Sequence, residues 1–445
     1  MPSSESSSSQ NPTQEQPVTE KEQKRQHKTI PPWLSAAVWT LRILVGGVFV
    51  YSGFVKAIDL WGFIFKFEDY LAILDLTAPR SVSLTLTLAL SSCEFVCGFL
   101  LLTGAYKRWS VWIISAMMAV MLPLTFILWI ADPIDDCGCF GDAFVISNGM
   151  TFLKNVIIAA ACLFLIKYNR RVSSSLFHPE AQWLELIAAT IYIVVIGLMC
   201  YNVQPFIDFR PYPAGQSLVG DADNAPEPLF RYTDGNVTRD FPADSIPADS
   251  TWQFVKRVMP AGYNVSGNMF TIYDDEDVTA DVILSDTPQL LLVIPEMERA
   301  DISSSYFINE LYRLSSKHGI DFIGLLATGP EGIEEWRDLS LADYECYTVE
   351  DTSLKELARG RLSIVYLEEG IIRWKRTVSA LDDVDNLTYL EQNYSDRFAA
   401  MLVPQPDSEI LLSISRDFGI ALLILWIIQA LVSLIYRKSG KKDSK

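Results

Sequence analysis

Six apolar runs, each of roughly twenty residues and almost free of charge, limit what this chain can fold into. They are Trp33–Phe54, Val82–Thr103, Val111–Ala131, Met150–Ile166, Trp183–Tyr201 and Phe418–Tyr436. At about 1.5 Å of rise per residue, a helix of that length crosses ~30 Å of hydrocarbon. A buried helix of a soluble domain is the alternative for any one run, but six of this length predict a polytopic membrane protein in contact with the lipid bilayer. The fourth is the shortest and carries Lys154 in its first turn.

The charges fall into two compartments. The chain has 54 Asp and Glu against 36 Lys and Arg, a net charge of -18, with most of the excess between Asp208 and Glu409. That balance excludes nucleic acid as a partner, because phosphate binding needs a basic surface. Lys and Arg gather instead in the tail before the first run, at Lys107–Arg108, at Lys167, Arg170 and Arg171, and from Arg437 to Lys445. The loop Asp132–Asn148 has four aspartates and no Lys or Arg. The positive-inside rule then places both termini in the cytoplasm and the acidic segment in the periplasm of a bacterial inner membrane. The expected divisions are a disordered tail (1–32), four spans (33–168), a fifth span (183–203), a periplasmic domain (204–416), a sixth span (418–436) and a basic tail (437–445). The aromatic, amphipathic loop Ala57–Arg80 is expected to lie along the outer interface as a short helix, its rings at headgroup depth.

Within 204–416 the pattern is that of an α/β domain. Gln289–Ile294 and Asp321–Ala327 read as buried strands, Ser303–His318 and Glu331–Asp338 as helices, and Leu362–Glu368 with Ile371–Lys375 as a hairpin. This order resembles a thioredoxin-like domain, with Met269–Ile283 as a preceding hairpin. Such domains carry Cys-x-x-Cys after the first core strand. Here the segment is Pro295-Glu296-Met297-Glu298-Arg299, so the resemblance implies a redox-inactive binding module. The lone Cys346 is expected to be a buried structural thiol.

Three groups of membrane residues are candidates for chemistry. Cys137 and Cys139 flank Gly138 in the acidic loop; two thiols one residue apart close only a small, strained ring, which suits exchange. A purely structural turn is the other reading, and four nearby carboxylates disfavour a thiolate. Cys93 and Cys97 share a helix face at i, i+4 as weaker relay candidates, beside Glu94, an ionisable group at membrane depth. Lys56 and Asp59 can pair at i, i+3, and with Arg42, Lys154 and Glu94 they are the candidate pocket. The three histidines lie far from the cysteines in sequence, so no metal site is expected.

On Arg42-x-x-x-Gly46, Ser52-Gly53-x-x-Lys56, Glu94 with Gly98, and Cys137-Gly138-Cys139-Phe140-Gly141, residues 33–168 resemble the DoxX-like membrane family and its MauE, or methylamine utilisation, branch. The resemblance implies a four-helix core and a role in disulfide formation or transport during maturation of a periplasmic protein. Two functions follow as expectations. One is a thiol–disulfide component using Cys137 and Cys139, with Cys93 and Cys97 or a quinone as electron acceptor. The other is a non-enzymatic scaffold that presents the acidic domain to a periplasmic client. No cofactor is evident beyond that quinone, and the sequence sets no oligomeric state.

Overall fold

The computed structural model describes residues 31–73, 75–131, 138–144, 146–172, 176, 179–218, 229–233, 238–242, 245, 252–258, 270–274, 276–284, 287–382 and 407–440. The expected N-terminal tail, the acidic stretch 132–137 with Cys137, and residues 441–445 lie outside them. Six helices are long and apolar enough to cross a membrane. They are α1 (Pro32–Ile58), α3 (Arg80–Thr103), α4 (Lys107–Ala131), α5 (Asn148–Tyr168), α6 (Gln182–Asn202) and α10 (Asp407–Gly440). Each expected span is present. The fourth is longer than its apolar run, and the last begins eleven residues before Phe418.

Small residues decide how these helices pack. A β-carbon at Gly53 of α1 would lie 2.5 Å from the Ser91 carbonyl oxygen of α3, and one at Gly98 of α3 would lie 2.7 Å from the Val50 nitrogen. Backbone therefore rests directly on backbone at this crossing, which only glycine permits. Helices α4 and α5 close the bundle through a core that includes Val45, Phe49, Leu101, Ile114, Met118 and Leu165. On the opposite side α6 packs through Ile193 and Ile196. Helix α10 leans on α6, with the Tyr192 and Phe418 rings stacked at 4.3 Å and Tyr192 Oη 2.9 Å from Ser415 Oγ.

The loop expected at the outer interface forms the expected short helix. Residues Leu60–Ile73 make helix α2, in which Leu60, Trp61 and Ile64 are buried while Phe63, Phe65, Phe67 and Tyr70 are half-buried. Trp61 stacks on Tyr201 at 4.7 Å and donates from Nε1 to the Tyr201 carbonyl at 2.9 Å. Phe65 presents its ring to three cations, Lys355 at 5.2 Å, Arg80 at 5.5 Å and Arg359 at 5.6 Å. Aromatic faces attract cations, so α2 is a platform on which the acidic domain sits.

That domain is a mixed sheet with helices against it. Strands β1 (Leu229–Thr233), β2 (Thr238–Pro242) and β3 (Gln253–Val258) make a small antiparallel sheet in the order β2-β1-β3. The large sheet contains β4 (Ile272–Asp274), β5 (Glu276–Asp277), β6 (Gln289–Ile294), β7 (Asp321–Leu326), β8 (Glu345–Val349), β9 (Ser363–Glu368) and β10 (Ile371–Thr377), in the order β10-β9-β6-β7-β8-β4-β5. Strands β6, β7 and β8 are parallel, β9 is antiparallel to β6, and β10 is antiparallel to β9. Helices α7 (Ser305–Lys317), α8 (Pro330–Ser340) and α9 (Asp351–Leu357) link them.

Every residue of β6 is buried, its side chains alternating between two cores. Leu290, Leu292 and Ile294 meet Phe307 and Trp336 on one face, while Leu291 and Val293 meet Leu354 and Leu357 on the other. A strand covered on both sides reads as continuous apolar sequence, which is why QLLLVI was legible. Strand β8 was not anticipated, because Glu345-Cys346-Tyr347-Thr348-Val349 has only two buried positions and no apolar run. Cys346 is one of them, and burial pushes its thiol up to about 11.

The acidic domain also holds a buried charged cluster of its own. Asp208 accepts from Arg210 at 2.7 Å and from Lys375 at 2.7 Å. Burial opposes the Asp208 carboxylate, yet these two cations hold it down at about 2.

The glycine contacts carry a direct expectation. Gly53→Leu forces α1 and α3 apart and lowers stability by at least about 2 kcal/mol. Gly47→Leu, at a position with nothing within 4 Å of the added carbon, leaves stability unchanged. Thermal unfolding of the detergent-solubilised protein checks both, and equal effects would contradict this packing.

Candidate functional site

The tight crossing of α1 and α3 faces a lysine with a glutamate inside the bundle. Lys56 Nζ donates to Glu94 Oε1 at 2.8 Å and Oε2 at 2.9 Å, with the two side chains 4% and 9% exposed. A charge at this depth needs a partner of opposite sign, and each supplies the other's. Ser52, one helical turn before Lys56, places Oγ 2.8 Å from Glu94 Oε2 and donates to the Cys139 carbonyl at 2.7 Å. The thiol loop is thus tied by its backbone to the buried ion pair.

The loop has its own built-in shape. Gly138 and Gly141 adopt φ of +62° and +53°, a left-handed conformation that glycine takes without penalty. The Gly141 nitrogen donates to the Gly138 carbonyl at 3.1 Å, and a single turn, Gly141–Ala143, follows. Phe140 lies between Tyr51, with ring centroids 5.7 Å apart, and Lys154, whose Nζ sits 4.1 Å over its ring. Beneath the loop is a cavity of about 40 Å³, lined by Ser52, Lys56, Glu94, Cys139, Phe140 and Lys154 among others. That is room for one or two water molecules.

Lys56, Glu94, Lys154 and Cys139 therefore meet as the sequence suggested, whereas the other candidates go elsewhere. Asp59 does not pair with Lys56. It accepts from Arg359 of the acidic domain, at 3.0 Å through Oδ1 and 2.6 Å through Oδ2. Arg42 is not in the pocket either. It lies fourteen residues before Lys56 on α1, about 20 Å away along the axis. There it donates from Nε to Asn169 Oδ1 at 2.6 Å and stacks over Trp39 at 4.9 Å. Cys93 and Cys97 share one face of α3 with their sulfurs 3.9 Å apart, too far for a disulfide bond. They line a separate apolar groove of about 420 Å³ with Trp109 and Leu186. Cys137 lies outside the described residues.

The residue missing from the sequence reading is Arg359. Its Nη2 also reaches Asp142 Oδ2 at 2.5 Å, so one guanidinium joins the end of α1, the thiol loop and the acidic domain. Burial opposes charge on all three groups. The Arg359 guanidinium overrides it at Asp59, whose carboxyl stays below the usual range, while at Asp142 burial prevails and pushes the carboxyl up. The two carboxylates in turn hold the guanidinium above its ordinary value. A β-carbon at Gly62 would lie 2.5 Å from Asp59 Oδ2 and 2.6 Å from Arg359 Nη2, which accounts for the glycine. Nothing in the sequence around Arg359 marked this place, because its partners Asp59 and Asp142 lie 300 and 217 residues away.

Breaking half of the buried pair should cost more than removing all of it. Glu94→Gln strands the Lys56 charge and destabilises by about 3–5 kcal/mol, whereas Lys56→Met with Glu94→Leu recovers most of the loss. Thermal unfolding in detergent measures both, and a double variant no better than the single one would contradict the assignment.

No curated protein and no solved structure matches this chain. The helices and loop that build the cavity are what a family comparison detects: residues 34–168 match the model of the family described as Methylamine utilisation protein MauE.

Proposed function

We propose that this protein is an integral inner-membrane component of periplasmic thiol–disulfide exchange, with Cys137 and Cys139 as the exchanging pair. The observation that carries the reading is the seating of Cys139 over a cavity that also holds Lys56, Glu94 and Lys154. A bundle of apolar helices has no structural need for two lysines there, whereas a nearby cation favours the thiolate that attacks a disulfide. The four aspartates of the loop weigh against a thiolate; Glu94 neutralises Lys56, which leaves Lys154, over the Phe140 ring, as the cation set against them.

The exchange balances as follows. A client dithiol loses two electrons and two protons and becomes a disulfide. The Cys137–Cys139 disulfide gains them and opens to two thiols, through a mixed disulfide with the client. Return to the oxidised form needs an acceptor of two electrons, for which a membrane quinone is the fitting class. The Cys93 and Cys97 thiols, in a separate groove, are not needed for the step with the client.

The acidic domain is read as thioredoxin-like and redox-inactive, serving to dock the client. Support comes from the parallel β6–β7 pair flanked by the antiparallel β9–β10 hairpin, with helices between. One observation favours the scaffold reading. Glu296 and Arg299, where a Cys-x-x-Cys would stand, are tied to the membrane part, Glu296 to Arg80 and Arg299 to Glu68 at 2.9 Å.

Thiol trapping with a mass-tagged maleimide in membranes, before and after reduction, decides between them. The exchange reading expects Cys137 and Cys139 to change state together and their serine variants to abolish client oxidation. Cysteines that never change state, with full function in the serine variants, would leave only the scaffold.

A further inference from the structure

We propose that Arg359 is a positioning residue for the thiol loop, through which the docked acidic domain controls the exposure of Cys139. The proposal rests on the reading of Cys139 as an exchanging thiol and adds how that thiol is regulated.

Arg359 is not an adaptable surface arginine. Its side chain is 5% exposed, and its backbone is held from both sides by Gln204. The Arg359 nitrogen donates to Gln204 Oε1 at 3.1 Å, while Gln204 Nε2 donates to the Arg359 carbonyl at 2.5 Å. Ser363 Oγ donates to the same carbonyl at 2.6 Å, and Arg359 Nη1 donates to the Lys355 carbonyl at 2.8 Å. The guanidinium is therefore placed by the fold of the acidic domain and by the segment that follows α6.

What it holds is the far end of the thiol loop. Asp142 stands three residues after Cys139, so the loop is anchored at two points: the Cys139 carbonyl by Ser52 of α1, and the Asp142 carboxylate by Arg359. Asp59 and Asp142 both lie against the same Nη2, at 2.6 Å and 2.5 Å. Without the guanidinium, two carboxylates would face one another across a buried gap, and like charges that close repel. Asp142, 36% exposed against 6% for Asp59, is the one able to leave. Its departure lifts the loop off the cavity and brings Cys139 to solvent. A client that draws the acidic domain away from α2 has the same effect, so docking keeps the half-buried thiol partly covered and undocking presents it fully.

The test uses the full-length chain in detergent or nanodiscs with every cysteine but Cys139 replaced, and reads the alkylation rate by a charged, water-soluble maleimide. Arg359→Gln and Asp142→Asn each raise the rate on the order of tenfold, since each removes the charge-assisted hydrogen bond that holds the loop. Combined, they do no more than either alone, and Arg359→Lys recovers part of the protection. Arg299→Ala, which cuts the more exposed contact with Glu68, leaves the rate unchanged. Should Arg359→Gln fail to fold, Asp142→Asn on the loop itself carries the test. An unmoved rate, additive increments, or an equal rise in Arg299→Ala would overturn the proposal. The assay contains neither client nor oxidant, so thiols that never cycle in cells would sink the exchange reading without touching this result. Cycling thiols with an unmoved rate would sink only the positioning role.

Discussion

The close approach of α1 and α3 is the constraint on which the rest of the molecule depends. With Gly53 against the backbone at Ser91 and Gly98 against that at Val50, the two helices come near enough for Lys56 and Glu94 to meet inside the bundle. Neither charge is tolerable alone at that depth. Once they are paired, Ser52 on the same helix face reaches both the carboxylate and the Cys139 carbonyl, and a loop that would otherwise be free gains a fixed seat. Glycine spacing, ion pair and thiol position are thus successive consequences of one helix crossing.

The acidic domain is bound to this arrangement rather than suspended above it. Helix α2 supplies aromatic faces, the segment that follows α6 supplies Gln204, and Arg359 reaches down to Asp59 and Asp142. Two chain segments 300 residues apart, at Asp59 and Arg359, complete one cluster. Such a cluster suits a protein in which a soluble module reports on a membrane site, because displacing the module removes a cation from between two carboxylates.

What the sequence disclosed followed from local repetition. Long apolar runs gave the six spans, and the continuous apolar stretches gave β6 and β7. In residues 57–80 the short helix was legible but the stacking of Trp61 on Tyr201 was not, because aromatic amphipathicity is the same for a ring that meets headgroups and one that meets a neighbour. Lys56 and Asp59 misled for a related reason: spacing along a helix shows which charges can pair, and a distant residue with better geometry can take one of them. Arg359 was illegible, since its role arises only when β9, the segment that follows α6 and the thiol loop come together in space. Strands β1 to β3 and β8 were equally hidden, having no periodicity long enough to register.

Lys56 and Glu94 neutralise one another beside Cys139, so removing either leaves a bare charge of known sign next to the thiol. The reduction potential of the Cys137–Cys139 couple measures that charge directly. Glu94→Gln leaves a cation, which stabilises thiolate and hence the reduced form, and the potential should rise by some tens of millivolts. Lys56→Met leaves an anion, and the potential should fall by a similar amount. Opposite shifts are the result this account predicts; no shift, or shifts in the same direction, would contradict the claim that the ion pair and the thiol loop form a single site.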